Sequence, residues 1–93
     1  MATWSKKSQT DVDRKQLVAA LLAAGKPPHW FQIAGVHSPD TMPEDFWFLR
    51  PGPGGGWEVG VYERGKYNVG ARFDAESEAA AWVYQSVMGH PPP

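Results

Sequence analysis

The chain has 93 residues, the length of one domain, and 42% of them are hydrophobic, which excludes an intrinsically disordered protein. It has no cysteine, which excludes disulfides, thiolate catalysis and cysteine-based zinc sites. The net charge of −1 argues against bulk attraction to nucleic acid, no apolar run approaches the roughly 20 residues of a membrane span, and the N-terminus lacks the apolar segment of a signal peptide. We therefore expect a cytoplasmic protein.

The first predicted element is a helix over residues 10–24, which follows a polar and flexible N-terminus at residues 1–9. Thr10 or Asp11 can serve as its N-cap, and Gly25 follows as its C′ glycine. The helical period is carried by an apolar stripe of Leu17, Val18, Leu21 and Leu22.

Four strands are predicted next, over residues 29–36, 45–50, 57–63 and 66–73. In the third strand, one face is expected to carry Trp57, Val59 and Val61. In the fourth strand, one face is expected to carry Tyr67, Val69, Ala71 and Phe73. Arg64 and Gly65 lie at the reversal between these strands, where Gly65 can adopt a positive φ without steric cost.

A second helix is predicted after the last strand. Asp74 is its expected N-cap, Gly89 ends it, and residues 90–93 form a proline-rich tail. The element order α-β-β-β-β-α predicts a single α+β domain over residues 10–89. We expect a four-stranded antiparallel sheet that is flanked by an N-terminal and a C-terminal helix.

The glycine-rich loop at residues 51–56 raises the question of a phosphate cradle. A phosphate-binding glycine loop leads from a strand into a helix, whereas this loop leads into a strand pattern that begins at Trp57. The sequence therefore favours a connection between two strands. A binding loop stays open as an alternative, because glycine lets the backbone approach another molecule closely.

The sequence contains no recognisable catalytic constellation. His29, His37 and His90 lack metal-ligand spacing, and nothing in the pattern assigns opposed pKa values to a carboxylate pair such as Glu58 and Glu63. We expect a protein that is not an enzyme and that holds no metal and no cofactor.

Aromatic residues are numerous, and adjacent ones such as Trp30-Phe31 and Phe46-Trp47-Phe48 cannot all face one side of a sheet. Either a helix or a loop covers the second set, or the second set forms an interface, where Trp, Tyr and Arg are typical anchors. The same strands carry or adjoin four basic residues, namely Arg50, Arg64, Lys66 and Arg72.

Two stretches carry a resemblance to a known family: Tyr62-Glu63-Arg64-Gly65-Lys66, and residues 73–79 with the sequence FDAESEA. Together with the glycine-proline end of the first helix and Trp57-Glu58-Val59, they resemble small bacterial immunity proteins that are encoded beside polymorphic toxins. The similarity covers residues 17–88. The resembling proteins are associated with toxins of the tuberculosis necrotizing toxin type, which hydrolyse NAD.

The resemblance implies a cytosolic inhibitor that occludes the active site of its cognate toxin domain. The expected toxin-binding residues are Gly54, Gly55, Gly56, Trp57, Tyr62, Glu63, Arg64, Lys66 and Trp47. The alternative is a small module that binds a peptide or single-stranded nucleic acid through exposed sheet aromatics. Nucleic acid is the less favoured partner, because of the net charge of −1.

Overall fold

The computed structural model describes residues 13–39 and 44–92. Its helices are α1 (Arg14–Ala23), a short 3₁₀ helix (Pro28–Trp30) and α2 (Glu76–Met88). Its strands are β1 (Phe31–Ile33), β2 (Asp45–Pro51), β3 (Trp57–Glu63) and β4 (Lys66–Phe73), in the sheet order β1-β2-β3-β4. Helix α1 packs on α2, and α2 packs on β2, β3 and β4. The predicted α+β class, with four strands and two helices, is confirmed.

The sheet is mixed, so the prediction of a fully antiparallel sheet is wrong. The β2–β3 and β3–β4 pairs are antiparallel, but β1 runs parallel to β2, with Phe31 opposite Trp47. After β1 the chain turns, and His37 pairs back on Ile33 in an antiparallel bridge. Because β1 and β2 run in the same direction, the chain must return between the end of β1 at Ile33 and the start of β2 at Asp45. Apolar alternation does not record strand direction, which is why the sequence pattern missed it.

Helix α1 is closed by specific caps at both ends. Asp13 and Gln16 form a capping box, in which the Asp13 carboxylate accepts the Gln16 N–H at 2.8 Å. At the other end Gly25 has φ +82°, its N–H donates to Leu22, and the Lys26 N–H donates to Leu21, which is a Schellman motif. The C′ role of Gly25 is confirmed, whereas the predicted N-caps at residues 10 and 11 lie outside the described residues.

Two predicted element boundaries are wrong. The first strand is confined to β1, because Pro28 begins a 3₁₀ turn before it and Gly35, with φ +76°, turns the chain after it. The N-cap of α2 is Ala75 rather than Asp74, since Ala75 holds the extended backbone that a cap requires. Gly89 ends α2 in the left-handed region, as predicted.

A β-bulge in β4 changes which side chains share a face. Val59 pairs with Ala71 and Gly60 pairs with Val69, so Gly70 is the extra residue. The prediction that Tyr67 shares a face with Ala71 and Phe73 is therefore wrong. Ala71 and Phe73 pack against the core under the helices, whereas the Tyr67 ring contacts Phe46 and Phe48 on the other side.

The core lies between the helices and one face of the sheet. Its fully buried members are Leu17, Leu21, Phe31, Ile33, Leu49, Val59, Ala79, Ala80 and Val83. We call the opposite side the open face; it carries Gln32, Phe46, Phe48, Arg50, Glu58, Tyr62, Tyr67 and Arg72. Phe46 and Phe48 are only 2% and 0% exposed, so the open face has an apolar centre of its own.

Candidate functional site: the hairpin end of the sheet

The nine predicted site residues fall at two opposite ends of the sheet. β3 has seven residues and spans about 20 Å from Trp57 to Glu63. Trp57 and the glycine loop lie at one end. The other end, where β3 turns into β4, is called the hairpin end, and it gathers Trp47, Tyr62, Glu63, Arg64 and Lys66. The structure therefore brings together five of the predicted residues and separates four from them.

The glycine loop is a compact connection between β2 and β3. The Gly52 N–H donates to Gly56 and the Gly55 N–H donates to Gly52, so two backbone donors are used inside the loop. A Cβ at Gly56 would lie 2.7 Å from the Phe73 carbonyl oxygen, so packing requires glycine there. At Gly54 a Cβ would meet no described atom within 4 Å. Because the loop leads into β3 rather than into a helix, its geometry is that of a strand connection.

Trp57, at the same end, has a packing role. It packs against the core, and the Arg14 guanidinium lies 4.9 Å from its ring centroid. Arg14 also donates to Glu76 at 2.9 Å and to the Ala34 carbonyl at 2.7 Å, which ties the starts of both helices to the turn after β1. Trp57 therefore contributes to the stability of the fold. Arg14 was not among the residues predicted from the sequence.

At the hairpin end, the tip is a two-residue turn in which Arg64 has φ +55° and Gly65 has φ +79°. Positive φ at both central residues is the type I′ geometry that matches the twist of a hairpin. Arg64, Gly65 and Lys66 are all exposed. A shallow cavity of about 520 Å³ beside the tip is lined by Glu63, Arg64, Lys66 and Asn68.

An apolar depression of about 380 Å³ lies beside the tip. It is lined by Trp30, Asp45, Phe46, Trp47, Val61 and Glu63. Trp30 is 41% exposed, although tryptophan side chains are highly buried on average. Trp47 is half-buried, and its ring meets Trp82 edge-on at 5.9 Å, so α2 holds it in place. Trp47 was among the predicted toxin-binding residues and Trp30 was not, although an exposed member of the Trp30-Phe31 pair was one of the two alternatives left open.

Tyr62 lies on the open face and is fixed by its neighbours. Its ring stacks on Phe46 at 4.7 Å and meets Tyr67 edge-on at 4.8 Å. Such aromatic pairs restrain both rings. Tyr62 thus belongs to the support beneath the hairpin tip.

A cross-strand ion cluster on the open face was missed by sequence reasoning. Glu58 lies directly opposite Arg50 on β2 and Arg72 on β4. Arg50 Nε donates to one Glu58 oxygen and Arg72 Nε to the other, both at 3.0 Å. The available signal was spacing, because Arg50 and Glu58 each lie four residues from Gly54 in the glycine-rich loop.

The ionisation of Glu58 follows from this cluster. Burial of the side chain, which is 4% exposed, would raise the pKa of the carboxyl group. The hydrogen bonds and charges of Arg50 and Arg72 outweigh burial and hold the pKa of Glu58 below its usual value. Glu58 is therefore committed to the ion cluster, and it does not form a carboxylate pair with Glu63.

Within residues 13–39 and 44–92, no group of three His, Cys, Asp or Glu side chains could hold a metal ion. The helices in that part of the chain are too short or too polar to cross a membrane. Comparison of the chain with protein-family models, with curated proteins and with solved structures finds no significant match.

Proposed function

We propose that this protein is an immunity protein that binds a cognate toxin domain and occludes its active site through the hairpin end. The observation that carries the proposal is the backbone of Arg64. A left-handed conformation costs a residue with a side chain about 1 kcal/mol or more relative to glycine. An arginine is kept at an exposed turn position that favours Gly, Asn or Asp. Contact of the guanidinium with a partner would offset that cost.

The surroundings of the tip support protein–protein docking. Trp30 and Trp47 border the depression beside Arg64, and tryptophan and arginine are the residue types most enriched in binding hot spots. Asp45 and Glu63 at the rim could bind basic groups of the partner, while Arg64 and Lys66 could bind acidic ones. Mixed charge around an aromatic centre gives specificity and raises the association rate.

The toxin class is proposed from the resemblance of residues 17–88. A cationic hairpin tip suits an active-site cleft that carries acidic side chains, because hydrogen bonds between a guanidinium or ammonium group and a carboxylate are charge-assisted. Arg64 and Lys66 would make the contacts with the acidic groups of that cleft. The tip would thereby exclude the substrate without performing chemistry.

The alternative function, base stacking on the open face, is less favoured by the geometry. Phe46 and Phe48 are almost fully buried, and the Arg50 guanidinium lies 5.1 Å from the Phe48 centroid and 4.7 Å from the Tyr67 centroid. A stacking platform needs ring faces that are open to bases.

Capture of the partner tests the proposal. The tagged protein is incubated with lysate of its source, and the proteins retained at moderate salt are identified. The proposal expects a stoichiometric toxin domain whose NAD-hydrolysing activity is lost in the complex. Retention of nucleic acid instead, with affinity that falls steeply as salt rises, would favour the alternative.

A further inference from the structure

The outer edge of β4 is a second candidate interaction surface, which begins at Lys66 of the hairpin end and runs to Arg72 near the opposite end of the sheet. β4 is the last strand of the sheet, and in the described part of the chain no strand pairs with its outer side. It is eight residues long, and four of them are exposed: Lys66, Asn68, Gly70 and Arg72. An edge strand of this length presents a row of backbone N–H and C=O groups to which an extended segment can add.

The charge of this edge is one-sided. β4 carries Lys66 and Arg72 and no acidic side chain. Arg72 is 69% exposed, and among the described residues its one carboxylate partner is Glu58, which it shares with Arg50. Two guanidiniums against one carboxylate give this three-residue cluster a net charge of +1, and Arg72 is its member on the edge strand.

The Arg72 side chain is also held in a defined orientation. Its hydrogen bond to a described residue uses Nε alone, with Glu58 as acceptor at 3.0 Å. The two Nη atoms keep their donors for another group. Because Glu58 is buried and fixed, the guanidinium fork is preorganised, and less entropy is lost when it binds a carboxylate.

We propose that the outer edge of β4 binds an extended acidic segment of a partner protein by strand addition, with an Asp or Glu of that segment bound to Arg72. In an added antiparallel strand, the residue opposite Arg72 lies on the same face with its Cβ about 5 Å away. Its carboxylate can therefore reach the Nη atoms. The inference goes beyond the hairpin end and does not depend on which toxin is bound there.

The same features discriminate against other strands. The positive charges of Lys66 and Arg72 disfavour neutral or basic segments, as cationic side chains commonly do at protected edges. A second copy of β4 would bring four cationic side chains to one edge. An acidic segment is the occupant that the charges favour.

Selection from a random nonapeptide library tests this proposal without the toxin. The purified protein is the bait, and the enriched peptides are sequenced. We expect alternating segments enriched in Asp or Glu at one position. Titration of the strongest peptide should perturb backbone amide NMR signals along β4. Arg72→Gln should lower the affinity for that peptide by about tenfold, because a charge-assisted hydrogen bond is lost.

Matched variants separate this effect from unfolding and from general charge. Lys15→Gln removes one positive charge from the exposed side of α1 and should change the affinity by less than about twofold. Arg72→Lys keeps the charge and loses the planar fork, so it should bind with intermediate affinity. Circular dichroism confirms that each variant is folded.

Four results would overturn the proposal. These are enrichment without an acidic bias, amide perturbation away from β4, tighter binding of oligo(dT) than of the selected peptide, and self-association through β4. None of them bears on inhibition through Arg64, so the two surfaces are tested separately.

Discussion

Glu58 lies between Arg50 and Arg72 in direct cross-strand register, and each of its two carboxylate oxygens accepts one Nε–H bond at 3.0 Å. The carboxylate is buried, whereas the guanidiniums reach solvent. Three neighbouring strands are thus joined on the open face by one ionised group. Removal of the central charge would leave two cations facing each other.

Glu58→Gln should destabilise the protein and lower its Tm by several degrees, because a buried charge network loses its central member. Thermal unfolding followed by circular dichroism measures the effect. Glu44→Gln, at an exposed position before β2, is the matched control and should leave the Tm unchanged. Equal Tm values for the wild type and Glu58→Gln would show that the network does not contribute to stability.

The free energy of unfolding should fall in acid, because Glu58 becomes protonated. The folded-state pKa of Glu58 lies below the ordinary value of 4.5 for a glutamate, so its ionised form stabilises the folded state above that pH. The contribution is lost as pH falls through the lower folded-state pKa. Urea unfolding across this acidic range should show a smaller loss of stability for Glu58→Gln than for the wild type. Parallel curves for the two proteins would contradict the assignment.

Gly60 should be the least replaceable glycine of the sheet. A Cβ there would collide with the Asn68 carbonyl oxygen and would also lie 2.8 Å from the Gly70 nitrogen, both backbone atoms at the bulge. Gly60→Ala should therefore destabilise the protein by about 3 kcal/mol. Gly54→Ala, where the Cβ meets open space, should change stability by about 0.5 kcal/mol at most. Chemical unfolding compares them, and similar values would refute the close approach.

The two tryptophans that line the depression should differ in their contributions to stability and to partner binding. Trp47→Ala should destabilise the fold by about 2–3 kcal/mol, because Trp47 packs on Trp82. Trp30→Ala should change stability by about 0.5 kcal/mol at most but weaken partner binding by about tenfold, because Trp30 is an exposed anchor. Differential scanning calorimetry of each variant measures its stability, and titration calorimetry with the captured partner measures its affinity. Unchanged affinity of Trp30→Ala would remove it from the interface.

Local features of the fold were readable from the sequence. The Arg64-Gly65 turn, the C′ role of Gly25 and the end of α2 at Gly89 follow from residue chemistry that acts within a few positions. The apolar stripe of the first helix was correct at Leu17, Val18 and Leu21, which are buried, and wrong at Leu22, which is 44% exposed. These signals need no knowledge of distant contacts.

Features that depend on strand pairing were not readable. The parallel direction of β1 is a property of its pairing with β2, and the bulge at Gly70 moves Tyr67 to the opposite face from Ala71. The Glu58 cluster requires the register of three strands. Only part of the candidate site was predicted, for the same reason. Its residues were chosen by residue type, and the fold places them at two opposite ends of the sheet.

The most direct test of the central claim compares wild type and Arg64→Gly against the captured toxin domain. Glycine accepts the positive φ of the turn, so Arg64→Gly should raise the free energy of unfolding by about 1 kcal/mol. If the guanidinium enters the toxin's active site, the same variant should inhibit NAD hydrolysis at least about tenfold less strongly. Gly54→Ala, at the opposite end of the sheet, is the control and should inhibit like the wild type.

We expect Arg64→Gly to combine higher stability with weaker inhibition. That combination would show that the arginine is kept for binding at the expense of folding. If Arg64→Gly inhibits NAD hydrolysis as strongly as the wild type, the hairpin tip lies outside the interface and the proposed mode of inhibition is wrong.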